Sequence, residues 1–124
     1  NCHSCVNSAT QFAGIEALRG DQAQVKKMIK EFKLRRDYLV NELNLIENVS
    51  CLKPGGAFYV FPKINKDQMN SVEISKFLLE NKFVATVPGS SFGLNGENFL
   101  RVSYASSIKN LERFIIRLRS FMND

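Results

Sequence analysis

Histidine is nearly absent from this chain: His3 is the one example among 124 residues. A Ser-His-Asp set would have to use that imidazole, which sits in an irregular lead-in, and no such set can be defended from the sequence. Cysteine is scarce too. Three cysteines are an odd count, so at least one has no partner within the chain. Cys2-His3-Ser4-Cys5 has the spacing of half a zinc site, but zinc takes about four ligands and no second pair follows. No metal is expected. Free thiols in a reducing compartment are, which points to the cytoplasm. No stretch approaches the roughly 20 apolar residues of a membrane span. The polar start is not a signal peptide, and the missing initiator methionine makes the chain read as an excised piece. The acids form no evident pair, and no lysine follows the glycine turns as a Walker A loop requires. An enzyme complete in itself is not expected.

What is present suits one folded domain. Hydrophobic residues make up 44% and charged residues 23%, which excludes intrinsic disorder and allows a core without staples. The formal charge of +5 raises the alternative of a stand-alone basic module for an acidic partner such as nucleic acid. The cations, however, lie on helix faces: Lys26, Lys27, Lys30, Lys33, Arg35 and Arg36, then Arg113, Arg117 and Arg119. Glu31, Asp37, Glu42 and Glu112 interleave with them. That pattern reads as a solvated helix surface, and no nucleic acid is expected.

Periodicity predicts a helix over 8–18 closed by Gly20, and a longer one opened by Asp21 as N-cap. The second carries an apolar stripe through Val25, Met28, Ile29, Phe32, Leu39, Val40 and Leu43, which Arg36 interrupts with a bend or an exposed turn. Short strands are predicted at 49–52, 57–62, 83–87 and 99–104, with polar loop from Ile64 to Asn70. A third helix starts at Ser71 with Val72, Ile74, Phe77 and Leu78 inward. A last helix, capped by Ser106 or Ser107, turns Ile108, Leu111, Phe114, Ile115 and Leu118 inward. The order implies a two-layer α+β sandwich, with helices on one face of a small, mostly antiparallel sheet and a leading interdomain helix. Residues 1–20 form the lead-in and residues 21–124 the domain.

One side chain stands out. Arg101 lies in Phe99-Leu100-Arg101-Val102-Ser103-Tyr104, and strand alternation puts it on the face of Phe99 and Ser103, away from Leu100, Val102 and Tyr104. A guanidinium there needs a partner, and its planar fork fits a carboxylate. An internal ion pair or an exposed edge position fits the pattern equally well. The turns 53–58 and 87–93 carry glycines that suit either phosphate cradling or ordinary tight turns.

Together these segments resemble a family. Leu52-Lys53-Pro54-Gly55-Gly56-Ala57-Phe58-Tyr59-Val60-Phe61-Pro62 looks like the Pro-x-Gly-Ala-Phe-Tyr segment of class I aminotransferases. Val87-Pro88-Gly89-Ser90-Ser91-Phe92-Gly93 looks like their Val-Pro-Gly-Ser-x-Phe-Gly loop. Phe99 to Ala105 looks like their Arg-Ile-Ser-Tyr-Ala strand. The opening Ser4 to Leu18 and the tail from Asn110 to Leu118 follow in the family's order. The prokaryotic-type aspartate aminotransferases are the most similar subgroup. The chain departs from them at Ser4-Cys5-Val6, where members often have Ser-Asn-Pro. The resemblance implies the small, C-terminal domain of a pyridoxal-phosphate enzyme that moves an amino group between an amino acid and a 2-oxo acid. A related pyridoxal-phosphate lyase is the alternative. It implies that Arg101 binds the substrate α-carboxylate, that Phe58 lies near the substrate, and that Gly56 lets the backbone approach the site. The cofactor lysine, the aspartate under the pyridine nitrogen and the phosphate site lie upstream in the family. No catalytic or cofactor-binding residue is therefore expected here, and the chain alone should be inactive. A homodimer built mainly through the large domain is expected of the whole protein.

Overall fold

The computed structural model describes residues 5–66 and 68–124, so Cys2 and His3 of the half zinc spacing lie outside the described residues. The chain divides into two compact units, one ending at Lys30 and the other running from Glu31 to Asp124. The boundary falls inside a helix, whereas the sequence places its division after residue 20.

The first unit holds α1 (Ser8–Arg19) and the start of α2 (Ala23–Asn44). The side chain of Asn7 caps α1 by accepting from the Thr10 N–H at 2.9 Å, and the Gly20 N–H closes its far end on the Glu16 carbonyl. Asp21 accepts from the Ala23 N–H at 2.8 Å, the N-terminal role its position predicts. α1 buries nothing: Phe12 is 73% exposed and Leu18 86%. Twelve residues are marginal as an isolated helix in water, so this apolar stripe has no stabilising partner within its unit.

The second unit is the α+β layer. β1 (Val49–Ser50) pairs antiparallel with β3 (Lys63–Ile64), with Val49 opposite Ile64. β2 (Tyr59–Val60), β5 (Leu100–Ser103) and β4 (Val87–Pro88) make a second antiparallel sheet in the order β2-β5-β4. Tyr59 stands opposite Ser103, and Val87 opposite Arg101. An isolated bridge between Lys63 and Phe99 links the two sheets. α3 (Ser71–Lys82) and α4 (Ile108–Asn123) join the rest of α2 as the helical layer. Leu39 and Leu43 of α2, Ile74 and Leu78 of α3, and Ile115 and Leu118 of α4 are buried with Val60, Ile64, Leu100 and Val102 of the strands. Each fully buried aliphatic contributes about 1.5–3 kcal/mol. Between β4 and β5 the chain makes two 3₁₀ turns, Gly89–Phe92 and Leu94–Gly96.

The structure departs from the sequence reading in several places: the strands expected at 49–52 and 57–62 shrink to two residues each, and Val25, Met28 and Ile29 of the α2 stripe are exposed. α2 runs unbroken through Arg36, whose Nε and Nη2 bond Asp37 at 2.9 Å while Nη1 donates to the Pro54 carbonyl at 3.1 Å. A cation at the edge of the stripe is satisfied without breaking the helix. Ile64 belongs to β3, not to a loop, and is wholly buried opposite Val49. The expected strand 83–87 shrinks to Val87–Pro88, because Phe83 adopts φ 53 as the left-handed C-cap of α3 and is 77% exposed. Val72 is 54% exposed, since the inner face of α3 runs through Ser71, Ile74, Ser75 and Leu78.

Candidate functional site

β5 alternates as a half-buried strand should. Leu100 and Val102 are buried, Arg101 is intermediate and Ser103 exposed. The buried pair anchors the strand and presents Arg101 on the face that carries no helices. There its guanidinium lies between two rings, with Cζ 4.5 Å from the centroid of Tyr59 and 4.8 Å from that of Phe92. Phe61 and Phe99 stack beside it, their centroids 5.1 Å apart and their planes within 9°. Phe92 meets Phe61 edge-on at 6.0 Å. Each cation–π contact contributes about 0.5–1 kcal/mol at an exposed site and more when desolvated.

An internal ion pair, one alternative the sequence left open, is not what the described residues show. The salt bridges of the described residues join Arg35 to Glu31, Arg36 and Lys53 to Asp37, Lys82 to Asp124, and Arg119 to Glu42. Arg101 is in none of them, and among the described residues its side chain donates no hydrogen bond. Rings cover its faces, while its edge, which carries the N–H fork, meets no acceptor among the described residues. That geometry suits a planar anion approaching in the guanidinium plane.

Phe58 lies next along the sheet, 43% exposed, its ring 4.3 Å from that of Tyr59 and 6.5 Å from that of Phe32. Its position is fixed from behind. Tyr104, 2% exposed, donates its phenol O–H to the Ala57 carbonyl at 2.8 Å and its N–H to the Phe58 carbonyl at 2.9 Å. Burial raises that phenol above its usual range, so it stays a donor. Ala57 takes φ 60, a left-handed conformation in a residue with a Cβ. Arg36 holds the Pro54 carbonyl, and Lys53 pairs with Asp37 at 2.8 Å. Those cations, Lys53 first, hold the Asp37 carboxyl below its usual range.

A Cβ added at Gly56 would meet nothing within 4 Å, as at Gly55. Neither glycine takes positive φ; the left-handed residue of this turn is Ala57. A cleft of about 500 Å³ opens nearby, walled by Leu52, Pro54, Tyr59, Phe61 and Phe99 and edged by Lys53 and Lys63.

The sequence reading did not single out Tyr59, Phe92, Asp37 or Tyr104 as site residues. Tyr59 was findable: it is the residue whose alternation from buried Val60 puts it on the face of Arg101. Phe92 was not, because only the folded path of the 89–98 loop brings it over β5.

Known proteins give the same picture. The sequence profile of "Aminotransferase class I and II" matches residues 2–118. The chain is 42% identical over 119 residues to the putative aminotransferase YugH of Bacillus subtilis, covering 96% of itself and 31% of that protein. It is 44% identical over 110 residues to a probable aspartate aminotransferase of Methanocaldococcus jannaschii, covering 89% of itself and 28% of that relative. Among solved structures, the alanine aminotransferase from Pyrococcus furiosus superposes with a TM-score of 0.90 at 39% identity, over 96% of this chain and 30% of that one. An aspartate aminotransferase from Rhizobium meliloti gives 0.85 at 36%, over 97% and 32%. The chain thus spans about a third of the length of the relatives it matches. With its α+β layer, its Arg101 strand and these likenesses taken together, the chain belongs to the class I and II aminotransferase family.

Proposed function

We propose that this chain is the substrate-closing small domain of a pyridoxal-phosphate aminotransferase, and that Arg101 binds the α-carboxylate shared by the amino acid and the 2-oxo acid. In this reading residues 21–124 form the small domain, and residues 1–20, whose apolar stripe is exposed, lead in from the large domain. The whole enzyme works as a homodimer. The observation that carries the reading is a guanidinium clamped between Tyr59 and Phe92, with no acceptor for its N–H fork among the described residues.

The physical use follows from that clamp. Ring faces above and below remove rotamer freedom that binding would otherwise have to freeze, which favours affinity. A bidentate carboxylate then fixes two points of the substrate and so the direction of its Cα–H bond. Orientation of this kind lowers barriers by several kcal/mol. Because a mobile domain carries the fork, carboxylate binding favours closure, and the aromatic side chains around Arg101 exclude water as the site shuts. Phe58, whose ring meets that of Tyr59, flanks that apolar wall without touching Arg101. Gly56, with open space where a Cβ would stand, leaves room for the opposing domain's backbone.

The residues here do not fit the task of holding the cofactor. Every lysine of the described residues is exposed or half-buried, and those with partners serve surface contacts such as Lys53 to Asp37 and Lys82 to Asp124. Pyridoxal phosphate, which supplies the electron sink for amino-group transfer, is held by the remainder of the enzyme.

The test is steady-state kinetics of the complete subunit. Arg101→Ala loses a charge-assisted pair of hydrogen bonds, roughly 3 kcal/mol or about 100-fold in kcat/KM, for every amino acid and 2-oxo acid used. Arg101→Lys keeps the charge but not the fork and falls between. An Arg101→Ala enzyme with unchanged kcat/KM removes Arg101 from substrate binding.

A further inference from the structure

Phe92 covers one face of Arg101, yet it sits in the loop 89–98, which is built of two short 3₁₀ turns and contains no strand. Besides its backbone bonds at Gly89 and Asn98, the loop is tied by side-chain bonds to the start of α3. Glu97 accepts from the Ser71 N–H at 2.7 Å and from the Asn98 N–H at 3.3 Å. Ser71 Oγ donates to Ser90 Oγ at 3.0 Å and accepts from the Ser90 N–H at 3.4 Å. Ser71 is wholly buried, so these partners are not interchangeable with water.

The first turn of α3 is otherwise complete. The Asn70 side chain takes the Val72 and Glu73 N–H groups, and the Asn70 carbonyl takes that of Ile74. Glu73 reaches back to the Asn70 N–H at 2.8 Å, closing a capping box. The one donor of that turn left over, Ser71 N–H, goes to a residue 26 positions away in the chain. A helix that already has its own capping box gains little local stability from Glu97. The loop gains an anchor at the end opposite to Phe92. The other end is fixed at Ser90, two residues before the ring.

We propose that Glu97, with Ser71 and Ser90, is a positioning latch that holds Phe92 on the Arg101 guanidinium and thereby sets the affinity of the site for the substrate carboxylate. The latch rests on the reading of Arg101 as the carboxylate anchor. It touches neither substrate nor cofactor. Releasing it lets Phe92 leave the stack, and Arg101 regains solvent and rotamer freedom that carboxylate binding must then remove. The cost falls on binding, so KM changes and kcat follows little.

The experiment uses the complete subunit with its best amino-acid substrate. Glu97→Ala raises KM about five-fold, the equivalent of one hydrogen bond, with kcat within about two-fold. Glu97→Gln restores KM, because the amide oxygen still accepts from Ser71 N–H. In an Arg101→Ala background Glu97→Ala adds nothing further, since the group it positions is gone. If Glu97→Ala does not fold, Ser90→Ala, which keeps the helix cap, is expected to raise KM in the same way. Unchanged KM in Glu97→Ala and Ser90→Ala, with KM raised in Arg101→Ala, overturns the latch and leaves the anchor standing. An effect of Glu97→Ala that persists in full without Arg101 overturns it as well. Unchanged kinetics in Arg101→Ala overturns the anchor itself.

Discussion

At the scale of single residues, the site depends on groups that never reach its surface. Tyr104 is the clearest. Its phenol is on the helix side of the sheet, but its hydrogen bond ends on Ala57, the residue of positive φ that precedes Phe58. A left-handed alanine costs about 1–2 kcal/mol relative to the right-handed form, and the phenol and the Tyr104 N–H both hold the segment against it. Tyr104→Phe removes the bond with little change in volume. Stability should fall by about 1 kcal/mol, read as a lower urea midpoint with unchanged slope. The Phe58 ring should become mobile while Arg101, on the other face, keeps its stack. A midpoint equal to that of the unmodified chain would mean that water replaces the phenol without loss.

At the scale of elements, the loop between β4 and β5 is set by glycines in two distinct ways. Gly93 takes φ 120, which only glycine adopts freely. Gly89 and Gly96 pack backbone on backbone: a Cβ at Gly89 would overlap the Gly96 and Phe99 carbonyls. Gly89→Ala should therefore destabilise by about 1–3 kcal/mol and shift Phe92, whereas Gly14→Ala, mid-helix in α1 with open space around it, should be neutral or stabilising by up to about 1 kcal/mol. Thermal denaturation of both variants checks the contrast, and equal effects would refute the packing account. This loop also marks where sequence stops being informative. Helices α3 and α4 were legible because their apolar residues recur with the helical period; the structure adds the Asn70 cap and selects Ser107 over Ser106. The face of Arg101 was legible because strands alternate. The two-residue strand β3 was not, since Ile64 pairs with Val49 only after the chain has turned back at Pro62. Neither was the aromatic clamp, whose two rings lie 33 residues apart in sequence, at Tyr59 and Phe92.

At the scale of the molecule, charge and burial together predict a stability plateau bounded on both sides. Asp37 is depressed by Lys53 and Arg36, and Glu97 chiefly by the Ser71 N–H. A carboxyl whose folded pKa lies below its unfolded one binds fewer protons folded than unfolded. Its contribution is complete above the unfolded value, about 4, and is lost as pH falls through the folded value. On the alkaline side, burial raises the Cys51 thiol and the Tyr38 and Tyr104 phenols. Groups held neutral in this way contribute fully below their unfolded pKa, and the contribution is lost as pH rises through the folded one. The thiol acts first, from about pH 8.5 upward. Urea midpoints measured across pH should accordingly be flat near neutrality and fall on both flanks. Asp37→Asn should shallow the acid flank alone, because it removes a group that must take up a proton on unfolding. Cys51→Ala should shallow the alkaline flank alone, apart from a uniform loss for the vacated volume. If Asp37→Asn lowered the plateau but left the acid slope intact, its pairing with Lys53 and Arg36 would be structural packing without proton linkage, and the acid flank would belong to Glu97.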